Sequence, residues 1–144
     1  MEVRHCKPTD SQALVPLLRQ LWPEKALRRD SLVKMFEKGR RSRTRRFLCA
    51  VEDRQVVGFC SMTLTNHWLE GTIANLDELV VDSHYRGRGI GRGLLDTVIV
   101  EARKGGAKSV ELHSGFRRRE AHLFYMRCGF KKSAFLFSRT LGSG

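Results

Sequence analysis

The run Tyr85-Arg86-Gly87-Arg88-Gly89-Ile90-Gly91-Arg92-Gly93 is the sharpest chemical feature of the chain. A helix start leaves about four backbone N–H groups without an internal partner and carries the positive end of the helix dipole, a natural seat for phosphate. Glycines let the backbone approach an anion without Cβ clashes. Arg86, Arg88 and Arg92 add positive charge around it. Spacing excludes two familiar alternatives. The residues three past Gly89 and Gly91 are Arg92 and Leu94, so the G-x-G-x-x-G dinucleotide fingerprint is absent. No G-K-[ST] occurs, so this is not a P-loop.

Such a turn needs a strand before it and a helix after it, and the flanking patterns supply both. Ile73 to Val81 ends in the apolar run Leu79-Val80-Val81 and reads as a strand. Gly91 to Lys104 carries Leu94, Leu95, Val98 and Ala102 on one helical face and is closed by Gly105-Gly106. Ser109 to Leu112 is a further strand, which makes a strand-helix-strand unit of residues 73–112. Upstream, Val3 to Cys6 reads as a short strand, and Thr9 with Gln12 as a capping box. Leu14, Leu17, Leu18 and Leu21 recur at helical spacing. Pro16 inside that pattern predicts a kink or a late start, and Pro23 ends it. Asp30 to Phe36 reads as a second short helix stopped by Gly39, and the arginine-rich Gly39 to Arg46 as a loop. Phe47 to Val51 and Val56 to Leu64 flank Asp53-Arg54-Gln55 and read as a hairpin. Downstream, Glu120 to Cys128 sets Ala121, Phe124, Tyr125 and Cys128 on one helical face before Gly129, and Phe130 to Thr140 is expected to add one or two strands. The order β-α-α-β-β-β-α-β-α-β-β is mixed α/β.

At 144 residues the chain fits a single domain, 1–144, with no room for two good cores. Hydrophobic residues at 41% and charged residues at 29% exclude a disordered chain. No apolar run approaches the roughly 20 residues that span a bilayer. The opening MEVRHCKPTD lacks the apolar stretch of a secretory leader, so no membrane partner and a cytoplasmic location are expected. Cys6, Cys49, Cys60 and Cys128 form no CxxC and match no zinc spacing; they read as core thiols, with neither a disulfide scaffold nor structural zinc expected. The spacing of other residues names no metal ligands, and His84, His113 and His122 read as surface or hydrogen-bonded groups. Basic side chains outnumber acidic ones 27 to 15, a net charge of +12 that attracts anions and disfavours gathering polycations. No RNA-recognition signature or base-stacking aromatic cluster accompanies the charge, so nucleic acid is not the expected partner.

Two motifs carry a resemblance. Arg86-x-x-Gly89-x-Gly91, after a strand ending Glu78-Leu79-Val80-Val81, resembles the acyl-CoA-binding motif of the GCN5-related N-acetyltransferases. Ala121-His122-Leu123-Phe124-Tyr125-Met126-Arg127-Cys128-Gly129-Phe130 resembles the A-x-x-F-Y-x-x-x-G-F of that superfamily's penultimate helix. Residues 76–141 look closest to the aminoalkylphosphonate N-acetyltransferases, through Asp77-Glu78-Leu79-Val80-Val81, Arg118 with Ala121-His122, and the ending Phe135-Leu136-Phe137-Ser138-Arg139-Thr140-Leu141. Arg118 stands where most of the superfamily has asparagine.

The resemblance implies a GCN5-related N-acetyltransferase fold, a mixed, mostly antiparallel sheet flanked by helices. It also implies acetyl-CoA as co-substrate, with Leu79, Val80 and Val81 along the pantetheine arm. Arg86, Gly87, Arg88, Gly89, Ile90, Gly91 and Arg92 would hold the pyrophosphate. A primary amine on a small acceptor would then attack acetyl-CoA directly in a ternary complex. An alkyl ammonium has a pKa of about 10 and must first lose a proton. Glu78 is the candidate base, with Asp77 on the opposite strand face as the reserve. The Val80 N–H would polarise the thioester oxygen, and Tyr125 would protonate the leaving thiolate.

The acceptor expected from charge and resemblance together is anionic, such as an aminoalkylphosphonate, with arginines at 40–46 and 117–119 as candidate clamps. Aminoglycosides, polyamines and protein or peptide amines are the competing acceptors. A non-catalytic CoA- or nucleic-acid-binding module is the competing class, and a homodimer is compatible with the sequence.

Overall fold

The first of two compact units, Met1–Leu112, is built on a five-stranded sheet in the order β1-β2-β3-β4-β5. The computed structural model describes residues 1–142. Strands β1 (Glu2–His5), β2 (Arg45–Glu52), β3 (Gln55–His67) and β4 (Gly71–Val81) run antiparallel to their neighbours, and β5 (Ser109–Leu112) joins β4 in parallel. Helices α1 (Ser11–Leu21), α2 (Arg29–Arg40) and α3 (Ile90–Lys104) complete the unit. This is the expected mixed, mostly antiparallel sheet with flanking helices.

Alternation along the strands sorts the core into two layers. Phe47, Cys49, Phe59 and Val80 turn toward α1 and α2, where Leu14, Leu17 and Phe36 complete a buried cluster. Phe36 stacks on Phe47 with ring centroids 5.6 Å apart, and Phe47 meets Phe59 at 5.7 Å. Leu48, Ala50, Cys60 and Met62 form the opposite face, which α3 covers with Ile90, Leu94, Leu95 and Val98. Gly58 permits that approach, since a Cβ there would stand 3.0 Å from Leu94 and 3.3 Å from Ile90. Burying each large side chain is worth about 1.5–3 kcal/mol, so the two layers clamp the sheet between them.

Local structure departs from the sequence expectations at several points. α1 runs through Pro16, whose ring removes one internal hydrogen bond from a helix held by buried Leu14, Val15 and Leu17. The expected Thr9–Gln12 capping box does not form: Asp10 stands at the N-cap position of α1, yet its side chain turns back from the helix. Its buried carboxylate accepts from the Lys7 N–H at 2.6 Å and from Arg4 at 2.7 and 3.1 Å, while Gln12 is engaged by Arg29. α2 continues through Gly39 to Arg40, because the missing side chain at 39 leaves room for the Phe47 ring. β2 already begins at Arg45, so the arginine-rich loop shrinks to residues 41–44.

Cys6 and Cys49 are disulfide-bonded, with Cα atoms 5.5 Å apart, against the expectation of four core thiols. The Cys6 N–H donates to the Phe47 carbonyl at 2.9 Å, which extends the β1–β2 ladder and sets Cys6 diagonally across from Cys49. A separation of 43 residues carries no trace of that register.

The second unit, from His113 onward, contains α4 (Arg119–Arg127). Residues 130–142 take no regular secondary structure, so the closing strands expected over Phe130 to Thr140 do not form. Phe135 and Phe137 are 77% and 91% exposed and lack the burial that would stabilise a strand there.

Candidate active site

β4 holds one residue more than β3 can match. Ser61 pairs with Glu78 and Met62 with Leu76, which leaves Asp77 as the extra residue of a β-bulge. The bulge changes where the two carboxylates point. Asp77 accepts from Thr63 Oγ1 at 2.5 Å, and Glu78 accepts from Ser61 Oγ. Ser61 and Thr63 are two apart on β3 and share a face, so Asp77 stands beside Glu78 and not on the opposite strand face. That face is the one Phe47 occupies, since Phe47 pairs with Ser61 on β2.

Burial pushes the Glu78 carboxyl above its ordinary pKa. The Ser61 hydrogen bond opposes that shift, the Asp77 charge adds to it, and the Arg45 charge opposes it; the net direction is upward. A carboxylate with a raised pKa is a stronger proton acceptor at neutral pH than an exposed one.

Beyond the bulge, β4 offers an open edge. β5 pairs with β4 only as far as Leu76, so among the described residues no strand pairs with 77–81 on that side. The Asp82 N–H donates to the Val57 carbonyl at 2.8 Å. Antiparallel alternation then turns the amide of Val80 into β3 and those of Leu79 and Val81 outward. Arg86 Nε already donates to the outward Val81 carbonyl at 3.1 Å. The polarising amide expected at Val80 is therefore directed into the sheet. Val80 contributes its buried side chain, and Leu79 and Val81 present the outward amides.

The turn itself adopts a conformation that requires its glycines. Gly87 and Gly89 have φ of 79° and 83°, in the left-handed region. A Cβ at either would meet nothing within 4 Å, so the space beside them is open. The helix ladder starts with the Gly93 N–H on the Gly89 carbonyl at 3.0 Å. Among the described residues, the amides from Gly87 to Arg92 donate to no backbone carbonyl. Arg88 lies over the Tyr85 ring at 5.0 Å, which keeps its charge at the turn, and buried Ile90 anchors the helix start. One continuous stretch thus joins the carboxylates, an open strand edge and an anion-seeking helix terminus. An extended, amide-bearing arm ending in a pyrophosphate fits such an edge and terminus.

Tyr125 belongs to the second unit. Its ring meets Phe124 and Phe130 edge-on at 5.4 and 5.8 Å, and its carbonyl accepts the Phe130 N–H at 3.0 Å. Burial pushes the phenol pKa up, with Arg118 opposing, so the hydroxyl stays protonated at neutral pH. His122 Nε2 is held by the Gly115 carbonyl at 2.8 Å, and His84 by Asp82 at 3.0 Å. Burial also pushes the Cys60 thiol up, which makes it a poor nucleophile. Among the described residues Cys6, Asp10 and Cys49 lie close enough to share a metal, but the disulfide takes both sulfurs. Sequence reasoning missed Ser61, whose hydroxyl in the apolar run Phe59-Cys60-Ser61-Met62 was the available signal.

Residues 11–130 match the family described as "Acetyltransferase (GNAT) family". The chain is 40% identical over 93 residues to an aminoalkylphosphonate N-acetyltransferase of Salmonella typhimurium, covering 64% of this chain and 60% of that protein's length. It is 27% identical over 135 residues to an aminoglycoside N(6')-acetyltransferase type 1 of Stenotrophomonas maltophilia, covering 91% and 86%. The structure superposes on an aminoglycoside N-acetyltransferase in complex with CoA with a TM-score of 0.87 at 18% identity, over 96% of this chain and 93% of the other.

Proposed function

Because the chain belongs to the acetyltransferase (GNAT) family, we propose that it transfers the acetyl group of acetyl-CoA, that family's acyl donor, to the amine of a small anionic acceptor. The single observation that carries this reading is the geometry from bulge to turn: Glu78 beside an open strand edge that leads into the free amides of residues 87–92. The turn would take the pyrophosphate, with Arg86, Arg88 and Arg92 around it. Leu79 and Val81 would pair with the pantetheine arm and donate to the thioester oxygen. Glu78, directly or through water, would accept the proton of the acceptor's ammonium. The freed amine would attack the thioester carbon, the C–S bond would break as Tyr125 donates a proton to the departing thiolate, and the second proton shed by the new amide nitrogen would restore the Tyr125 hydroxyl by way of water. Cys6 and Cys49 are joined and burial holds the Cys60 thiol protonated, so direct transfer in a ternary complex is the simpler route.

An aminoalkylphosphonate is the acceptor this reading favours. The 40% identity over 93 residues supports it, as does the +12 charge. The aminoglycoside reading rests on the wider but weaker 27% match. A strongly positive protein repels a polycation at long range, and a local acidic pocket acts only within a Debye length of about 8 Å. Among the described residues no helix is long and apolar enough to cross a membrane, and a cytoplasmic location is part of this reading. The test is release of free thiol from acetyl-CoA against a panel of aminoalkylphosphonates, polyamines, aminoglycosides and basic peptides, with acceptor-free controls. Turnover of the phosphonate over its matched neutral amine supports the reading. Acetylation of aminoglycosides or peptides with phosphonates inert overturns it.

A further inference from the structure

We propose that the depression between the end of α2 and the start of β2 binds the acceptor's phosphonate, and that Arg45 is its principal donor. The proposal deepens the reading above and rests on it for the identity of the molecule that carries the anion.

The depression has a volume of about 390 Å³ and is lined by Met35, Lys38, Gly39, Arg41, Ser42 and Arg45. The arginines of this segment are not equivalent. Arg40 is paired with Glu37 at 3.3 Å, and Arg46 spends its guanidinium on the carbonyls of Arg43 at 2.8 Å and Arg45 at 3.0 Å. Arg45 is different. Its guanidinium lies over the Phe47 ring at 5.0 Å, and its Nε is buried without a hydrogen-bond partner among the described residues. A buried, unpartnered donor is costly, and more so on a charged group. Among the described residues, Lys38, Arg41 and Arg45 have no carboxylate oxygen within 4.0 Å. Gly39 has no side chain to cover the spot, so the glycine that admits Phe47 also leaves Arg45 reachable. Three cations around one opening suit a tetrahedral dianion, with the Arg45 fork as the bidentate element.

The depression also lies within reach of the carboxylates. Phe47, Ser61 and Glu78 form one rung across β2, β3 and β4, and Arg45 is two residues from Phe47 on the same face. Two strand spacings and one pleat repeat separate the Cα atoms of Arg45 and Glu78 by roughly 12 Å. Two long side chains narrow that gap to the length of a short molecule with an amine at one end and an anion at the other. Arg45 already acts on Glu78, where its charge opposes the upward shift. An anion seated on Arg45 offsets that pull, so the acceptor strengthens the base that deprotonates it.

The test compares 2-aminoethylphosphonate, its phosphate-ester analogue phosphoethanolamine, the carboxylate β-alanine and neutral propylamine. The readout is the ratio of kcat/KM for each anionic amine to that for propylamine. Arg45→Gln should lower the phosphonate ratio about 10-fold or more, the scale of lost hydrogen bonds to a charged group. Lys38→Gln and Arg41→Gln, at exposed or rim positions less demanding of the fold, should each lower it by a smaller factor. Arg43→Gln, outside the depression, should not move it. Binding of ethylphosphonate, which has no amine, is measured by calorimetry on the same variants and does not depend on catalysis. Loss of that binding in Arg45→Gln supports the site even if no amine is acetylated, in which case the acetyltransferase reading fails alone. Acetylation of amines with ratios and ethylphosphonate affinity unchanged in all three depression variants overturns the site and leaves the transferase standing. A rise in KM for acetyl-CoA alone assigns the cations to the donor and also overturns it.

Discussion

The hydroxyl of Ser61, itself 1% exposed, donates to the carboxylate of Glu78 across the β3–β4 rung next to the bulge. The bond stabilises the ionised form of a carboxyl that burial otherwise drives toward neutrality. Ser61→Ala should therefore move the acid limb of the kcat/KM profile to higher pH without changing the affinity for acetyl-CoA. A profile that does not move would show that Glu78 is not the group whose ionisation limits the rate.

Glu78→Gln separates activity from stability. The folded-state pKa of Glu78 is raised, so its contribution to stability is fully present below the unfolded pKa and lost as pH rises through the folded value. Wherever the carboxyl is ionised in the fold, its buried charge is a liability. The variant should hold or raise the melting temperature at pH 7 while turnover falls about a hundred- to ten-thousand-fold. Thermal melts at pH 4 and pH 7 beside rate measurements check both halves.

Gly89→Asp tests the turn. Apart from its two chain neighbours, no residue comes within 4 Å of the new Cβ, so a clash with the rest of the fold is not the cause of any effect. The left-handed φ costs about 1–2 kcal/mol for a residue with a Cβ, and aspartate is among the more tolerant. The added negative charge faces the free amides. Calorimetry on the folded variant should show acetyl-CoA affinity reduced by about 10-fold or more, and equal affinity would remove the pyrophosphate from this turn.

Tyr125→Phe should lower turnover more than it weakens acetyl-CoA binding. The ring and its edge-on packing against Phe124 and Phe130 are retained, and only the protonated hydroxyl is lost. Where chemistry limits the rate, wild-type turnover in the variant would make Tyr125 a packing residue.

What could be read from the sequence was whatever depends on local pattern. The Leu94, Leu95, Val98 and Ala102 face gave α3, and the glycines at 87 and 89 gave the turn, because period and φ are local properties. The orientation of Asp77 was not legible, since a bulge is a mismatch between two strands and neither strand alone records it. Ser61, Arg45 and the Cys6–Cys49 bond share that character: each acquires its meaning from register with a neighbouring strand or helix. Pro16 does not delay the start of α1 for the converse reason, because tertiary burial of the helix outweighs one missing internal bond.

The bulge at Asp77 behaves as a dislocation does in a crystal, where one surplus unit in one row prevents its neighbours from healing over it. On the β3 side the ladder slips between Ser61 and Met62; on the β5 side pairing stops at Leu76, at the same level of the sheet. A gene lacking the single codon for Asp77 would still set Glu78 opposite Ser61, and the ladder would become regular. The strand would then lose its bulge and the second carboxylate that the bulge sets beside Glu78. The pairing of both carboxylates with hydroxyls of β3 thus depends on chain length at one position more than on the identity of any side chain along it.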